Sequence, residues 1–211
     1  MFKRRSLGLC IIILVIVFAH TSFAATFTVS RSGEIVVARM IGDIEQGDLV
    51  KFKRVLNRFG YITHLQLNSP GGNLYEAISI GREIRRNKIA TIVSSKSECL
   101  SACPYIFIGG LFRTIEAGGK IGMHMATLSQ SETIRQKVLD ILLDESVDLQ
   151  VRLSILVSIF EQIGAQSLMD QVIYLLDMGV SPKLLDYVTG TPNFKIYYFN
   201  EAELRITNVI N

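Results

Sequence analysis

Between residues 34 and 124 the chain switches repeatedly between two hydrophobic periods, and glycine or proline marks most of the switches. Residues 34–40 (EIVVARM) are β-branched and read as a strand, while the stretch before them reads as a short linker. Leu49, Phe52, Val55 and Leu56 then recur at helical spacing between Gly47 and Gly60. Residues 62–67 alternate as a strand that stops at Asn68-Ser69-Pro70-Gly71-Gly72. Residues 74–86 return to the helical period through Ala77, Ile78, Ile80 and Ile84, and 89–93 form another strand. An apolar segment over 100–107 ends at Gly109-Gly110, and 120–124 is a short strand. Strands alternating with helices predict parallel crossover units, and hence an α/β domain whose mostly parallel sheet is covered on both faces.

From Ser131 the character changes. Gly164 is the only glycine up to Met178, and there is no proline. Val138, Ile141, Leu142, Ile155, Ile159, Phe160 and Ile163 recur at helical intervals, predicting one long helix or a pair broken near Gly164. This segment, about 131–179, is apolar around much of its circumference. It reads either as a helical insertion packed on the domain or as a surface for homo-oligomer or membrane-surface contact. Ser181-Pro182 has the form of an N-cap followed by proline at the first helical position, starting a helix to about 188. Residues 201–205 read as a last helical turn, closing a single domain over 25–211.

The first twenty-four residues carry no acid and contain Lys3, Arg4 and Arg5 ahead of a 13-residue apolar run over 7–19. That run is short of the roughly 20 residues that span a bilayer. With small residues at Ser22 and Ala24 it reads as an export signal cleaved after Ala24, giving a periplasmic-type protein; the other reading is an uncleaved N-terminal anchor. Beyond Ala24 the chain holds 19 Lys and Arg against 19 Asp and Glu. A neutral domain has no electrostatic footprint for nucleic acid, so that class of partner is set aside. Cys10 leaves with the signal. Cys99 and Cys103 remain, four apart, and an oxidising compartment favours a disulfide between them.

Few residues suit catalysis. His64 lies within a predicted buried strand, where a satisfied structural histidine is expected, while His124 ends a strand, where catalytic groups of parallel sheets collect. The glycines of Ser69-Pro70-Gly71-Gly72 let backbone N–H groups face a ligand. Ser101 sits at a strand-to-helix junction. The two cysteines and two histidines lack ligand spacing for zinc, so no metal is expected. Ala117-Gly118-Gly119-Lys120-Ile121 is not a phosphate loop, because the earlier glycine and the Ser or Thr after the lysine are missing. No cofactor is expected.

Together, Leu67-Asn68-Ser69-Pro70-Gly71-Gly72, Ser101, Gly110 nine residues on, and Gly122-Met123-His124 resemble the proteolytic subunit of Clp protease and its crotonase-fold relatives. The resemblance covers roughly 35–125. It implies a spiral of ββα units, a Ser101 nucleophile, a His124 general base and an oxyanion hole from the N–H groups of Gly72 and Ala102. The implied activity is that of a serine peptidase acting on peptides or unfolded segments. The chain departs from the family in lacking an acid before the last helix: Thr191-Pro192-Asn193-Phe194-Lys195-Ile196-Tyr197 runs through that region. Asn193, or Asp170, Asp177 or Asp186 from preceding helices, is open as the residue that orients the histidine. The alternative is a weak or inactive pseudo-hydrolase that binds peptides or proteins. A crotonase-type acyl-CoA enzyme is disfavoured by export, since CoA is cytosolic.

Overall fold

The computed structural model describes residues 24–127 and 132–210; the export-signal reading falls on residues 1–23, outside the described residues. The stretch expected to be a linker is a strand. β1 (Thr26–Ser32) pairs antiparallel with β2 (Ile35–Ile41), turning at Gly33. Its alternation is carried by Thr and Ser around only two apolar residues, Phe27 and Val29, which face helix α1 (Asp48–Phe59); the rings of Phe27 and Phe52 lie 5.6 Å apart. The weak apolar content hid the strand, and the hairpin partner supplies what local propensity lacks.

After α1 the chain enters β3 (His64–Asn68), α2 (Leu74–Arg86), β4 (Ala90–Val93), β5 (Glu98–Leu100), α3 (Cys103–Ile108), β6 (Arg113–Ile115) and β7 (Lys120–Met123). Strands β2, β3, β4 and β6 pair in parallel, with β1 closing one edge antiparallel, to give a five-stranded sheet in the order β1-β2-β3-β4-β6. A second sheet, formed by β5, β7 and, at its other edge, a two-residue strand over Tyr197–Tyr198, is joined to the first where Ser69 bridges Cys99. The starts of two helices are tied together: Asn73 caps α2 by accepting from the Glu76 N–H, and the Glu76 carboxylate reaches back to accept from the N–H groups of Gly47 and Leu49 at the start of α1. Apolar residues of α2 and α3, among them Ile80, Ile84, Ile106 and Phe107, are fully buried under the sheet. The two helices meet glycine to glycine, since a Cβ on Gly109 would lie 2.3 Å from the Gly81 carbonyl oxygen.

The helical segment is a pair, α4 (Glu132–Leu143) and α5 (Leu149–Asp177), and the break is not at Gly164. Gly164 lies inside α5, where an exposed glycine costs only about 1 kcal/mol. The chain breaks instead over 144–148. Asp144 there accepts from the Ser146 N–H and hydroxyl, and Asp148 caps α5 by accepting from the Gln150 N–H, local bonds that compete with a continuous helix. The C-terminal end of α5 is anchored on α3 and α2: Tyr105 donates to Gln171 at 2.5 Å, Tyr174 donates to the Tyr105 carbonyl at 2.5 Å, and Arg82 of α2 pairs with Asp177. Over 149–166 only Leu156 is buried, so this half projects with α4 as an arm.

The chain ends with α6 (Leu184–Thr189), β8 (Tyr197–Tyr198) and α7 (Glu201–Ile206). Helix α6 starts two residues later than the Ser181-Pro182 signal suggests; the Ser181 hydroxyl accepts from the Lys183 N–H ahead of it. Helix α7 carries a capping box in which the Asn200 side chain and Glu203 satisfy each other's backbone N–H groups.

Candidate active site

Ser101 follows β5 directly, in a turn that leads into α3, and its φ of 58° places a non-glycine residue in the left-handed region. Such a conformation costs of order 1–3 kcal/mol and needs its surroundings to enforce it. Three contacts do so. The Ser101 N–H donates to the Gly122 carbonyl at 2.8 Å. The Cys99–Cys103 disulfide, with Cα atoms 5.1 Å apart, encloses the turn, joining the middle residue of β5 to the first residue of α3. The third contact is Gly71, where a side chain would lie 2.5 Å from the Ser101 Cβ and 2.9 Å from the Ala102 nitrogen. The glycine is required there by proximity as well as by its φ of 108°.

The segment 69–73 runs between two neighbours. On one flank the Ile44 N–H donates to the Gly71 carbonyl at 2.7 Å and the Asn73 N–H to the Ile44 carbonyl at 2.8 Å. On the other flank Ser69 exchanges both of its backbone bonds with β5. Strand alternation therefore turns the Gly72 N–H away from Ile44, toward the flank that holds Ser101. Among the described residues neither the Gly72 N–H nor the Ala102 N–H has an acceptor.

His124 follows β7, the parallel neighbour of β5, with Leu100 in register with Gly122. Ser101 and His124 thus leave the same end of two strands that lie about 4.8 Å apart. The half-buried His124 ring places Nδ1 2.9 Å from the Met125 carbonyl oxygen. A carbonyl only accepts, so Nδ1 carries the proton of the neutral ring and Nε2 holds the lone pair. The Met125 peptide is itself fixed, its N–H donating to the Thr191 carbonyl at 2.9 Å. The Ser101 hydroxyl makes no hydrogen bond among the described residues.

None of the four residues considered for orienting His124 is hydrogen-bonded to it. Asn193 and Asp186 are exposed, Asp170 accepts from Gln166 at 3.0 Å, and Asp177 pairs with Arg82. The orienting acceptor found here is a backbone carbonyl, which leaves no trace in residue identity. His64 opens β3 and contacts the Thr63 hydroxyl at 2.9 Å, a local structural contact. Lys120 opens β7, at the end remote from His124, and is bonded to Glu98 at 3.0 Å, which holds its ammonium above the ordinary lysine range. Beside β7, a hydrogen bond to Glu203 pushes the Tyr197 phenol up to about 12. The described residues contain no group of three or more metal-ligating side chains, and none of their helices is long and apolar enough to cross a membrane.

No protein-family model matches the sequence, and no curated protein matches it. Its shape does have counterparts. Two solved structures of a membrane-bound stomatin-specific protease superpose with a TM-score of 0.51 at 16% identity over 83% of this chain. One is a serine-to-alanine mutant, of which 76% is covered; the other is a lysine-to-alanine mutant in complex with a substrate peptide, of which 72% is covered. The chain shares the fold of that protease, a Clp/crotonase-like fold. Gly72 lies in the segment between β3 and α2, Ser101 follows β5, His124 follows β7, and the α4–α5 arm extends from these elements.

Proposed function

We propose that this chain is an exported, periplasmic-type serine peptidase that hydrolyses peptides or unfolded protein segments. The observation that carries the reading is the strained Ser101 turn set beside a His124 whose Nδ1–H is committed to the Met125 carbonyl. His124 Nε2 accepts the Ser101 Oγ proton as the oxygen attacks the scissile carbonyl carbon. The oxyanion is received by the N–H groups of Gly72 and Ala102, each such donor being worth about 10²–10³ in rate. His124 returns the proton to the leaving amine, and water then cleaves the acyl-enzyme with the same base. An extended substrate pairs by its backbone along the Gly71-Gly72 segment. The Met125 carbonyl orients the imidazole in place of the family's acid, but it adds no full negative charge to stabilise the imidazolium.

A peptide substrate is supported by the fold counterpart that is in complex with one. That counterpart is a lysine mutant; on β7, the strand that leads to His124, the lysine is Lys120, which is engaged by Glu98 at the far end, and this favours histidine as the base. The unbonded Ser101 hydroxyl is what the pseudo-hydrolase alternative has in its favour. Labelling with a fluorophosphonate probe separates the two. Wild type is expected to label, and Ser101→Ala and His124→Ala to lose the label. A folded wild type that never labels would leave the peptide-binding module as the reading.

A further inference from the structure

The α4–α5 arm carries apolar residues that stay exposed among the described residues, including Leu143, Leu149, Val151 and Ile155. It is also the acidic part of the molecule. Residues 132–177 hold three Lys and Arg against eight Asp and Glu, a net charge of −5, while the remainder of 25–211 holds 16 against 11, a net charge of +5. The acids crowd at the tip, where Asp140, Asp144, Glu145 and Asp148 flank the exposed Leu143 and Leu149. On the opposite-signed body, a groove between β1 and α1 runs through two contiguous depressions of about 450 and 410 Å³. Phe27, Val29 and Val55 form its floor, and Arg54 and Arg58 stand on its rim. Arg54 has no ion-pair partner among the described residues, and β1 is one of the two edge strands of its sheet.

We propose that the apolar, acidic tip of the α4–α5 arm docks in the β1–α1 groove of a second copy of this chain. The 18 residues of α5 before its anchored part extend about 27 Å, long enough for an exchange of arms. Reciprocal exchange closes a two-fold dimer in which each contact is made twice. A lipid surface fits less well, because four carboxylates at the tip oppose both anionic headgroups and burial among acyl chains. The groove answers both chemistries of the tip at once. This inference is independent of the catalytic reading and needs no activity to test.

The test is sedimentation of the purified protein, with both ends verified by intact mass, at 50 and 500 mM salt. A dimer is expected, with a dissociation constant at least tenfold weaker at high salt because the rim contacts are exposed to screening. D144K/D148K and R54D/R58D, each with unchanged circular dichroism, are each expected to yield monomers. The four-fold swap in one chain is expected to recover the dimer, which guards against loss by misfolding. A wild-type monomer at 100 μM overturns the proposal, as does a dimer indifferent to both reversals. A monomer that co-sediments with zwitterionic vesicles assigns the arm to membranes and overturns it too.

Discussion

Ser101 holds a conformation that its side chain disfavours, and that sets stability against chemistry at one residue. Glycine enters the left-handed region without the Cβ clash that costs other residues about 1–2 kcal/mol. Ser101→Gly is therefore expected to raise the unfolding free energy by about 1 kcal/mol relative to Ser101→Ala, read from denaturant midpoints, while both variants lose the label. Equal stability of the two would mean the turn is unstrained. At His124 the geometry fixes the tautomer. Nitrogen NMR of the neutral ring should find Nδ1 protonated and Nε2 bare, and Asn193→Asp should leave that signature in place, since Asn193 makes no bond to the ring. A ring protonated at Nε2 would remove His124 as the base.

Elements are held here by close backbone approach as much as by side chains. Gly109→Ala drives a methyl group into the Gly81 carbonyl where α2 crosses α3. Overpacking of this kind costs roughly 1–3 kcal/mol, expected as a lower denaturant midpoint at unchanged slope. Reducing Cys99–Cys103 should act differently. So short a loop contributes only about 2 kcal/mol to stability, yet it encloses the Ser101 turn. Labelling is thus expected to fall by more than the loss of folded protein explains, measured on a Cys99→Ser, Cys103→Ser variant still folded by circular dichroism. The same contrast separates what the sequence reveals from what it hides. Helices α1 and α2 were legible because an amphipathic face repeats over a dozen residues, as were Ser101 and His124 at their strand ends. Strand β6 has three residues and β8 two, too few for any period, and they exist because a partner strand pairs with them. The Met125 carbonyl was invisible because every residue has one.

Across the whole molecule, buried phenols tie the arm to the body and set its alkaline limit. Burial pushes Tyr105 and Tyr174 above the ordinary tyrosine range, and the Glu203 bond raises Tyr197 to about 12. The folded state therefore keeps protons that the unfolded chain loses near pH 10. Stability is full below about pH 10 and falls as pH rises from there through the folded values. Of the seven tyrosines, Tyr105 and Tyr174 should ionise only together with unfolding, followed by tyrosinate absorbance alongside circular dichroism. Ionisation of all seven in a folded protein would contradict the burial. The site itself draws on Ile44, Gly71, Ser101, Gly122 and, last in the chain, Thr191, whose carbonyl steadies the peptide that holds His124. A chain emerging from its N-terminus, whether from a ribosome or through an export pore, displays the serine some ninety residues before that final carbonyl arrives. On the peptidase reading proposed above, the His124 side of the site is complete only once that carbonyl has arrived, so hydrolytic competence would come last in delivery.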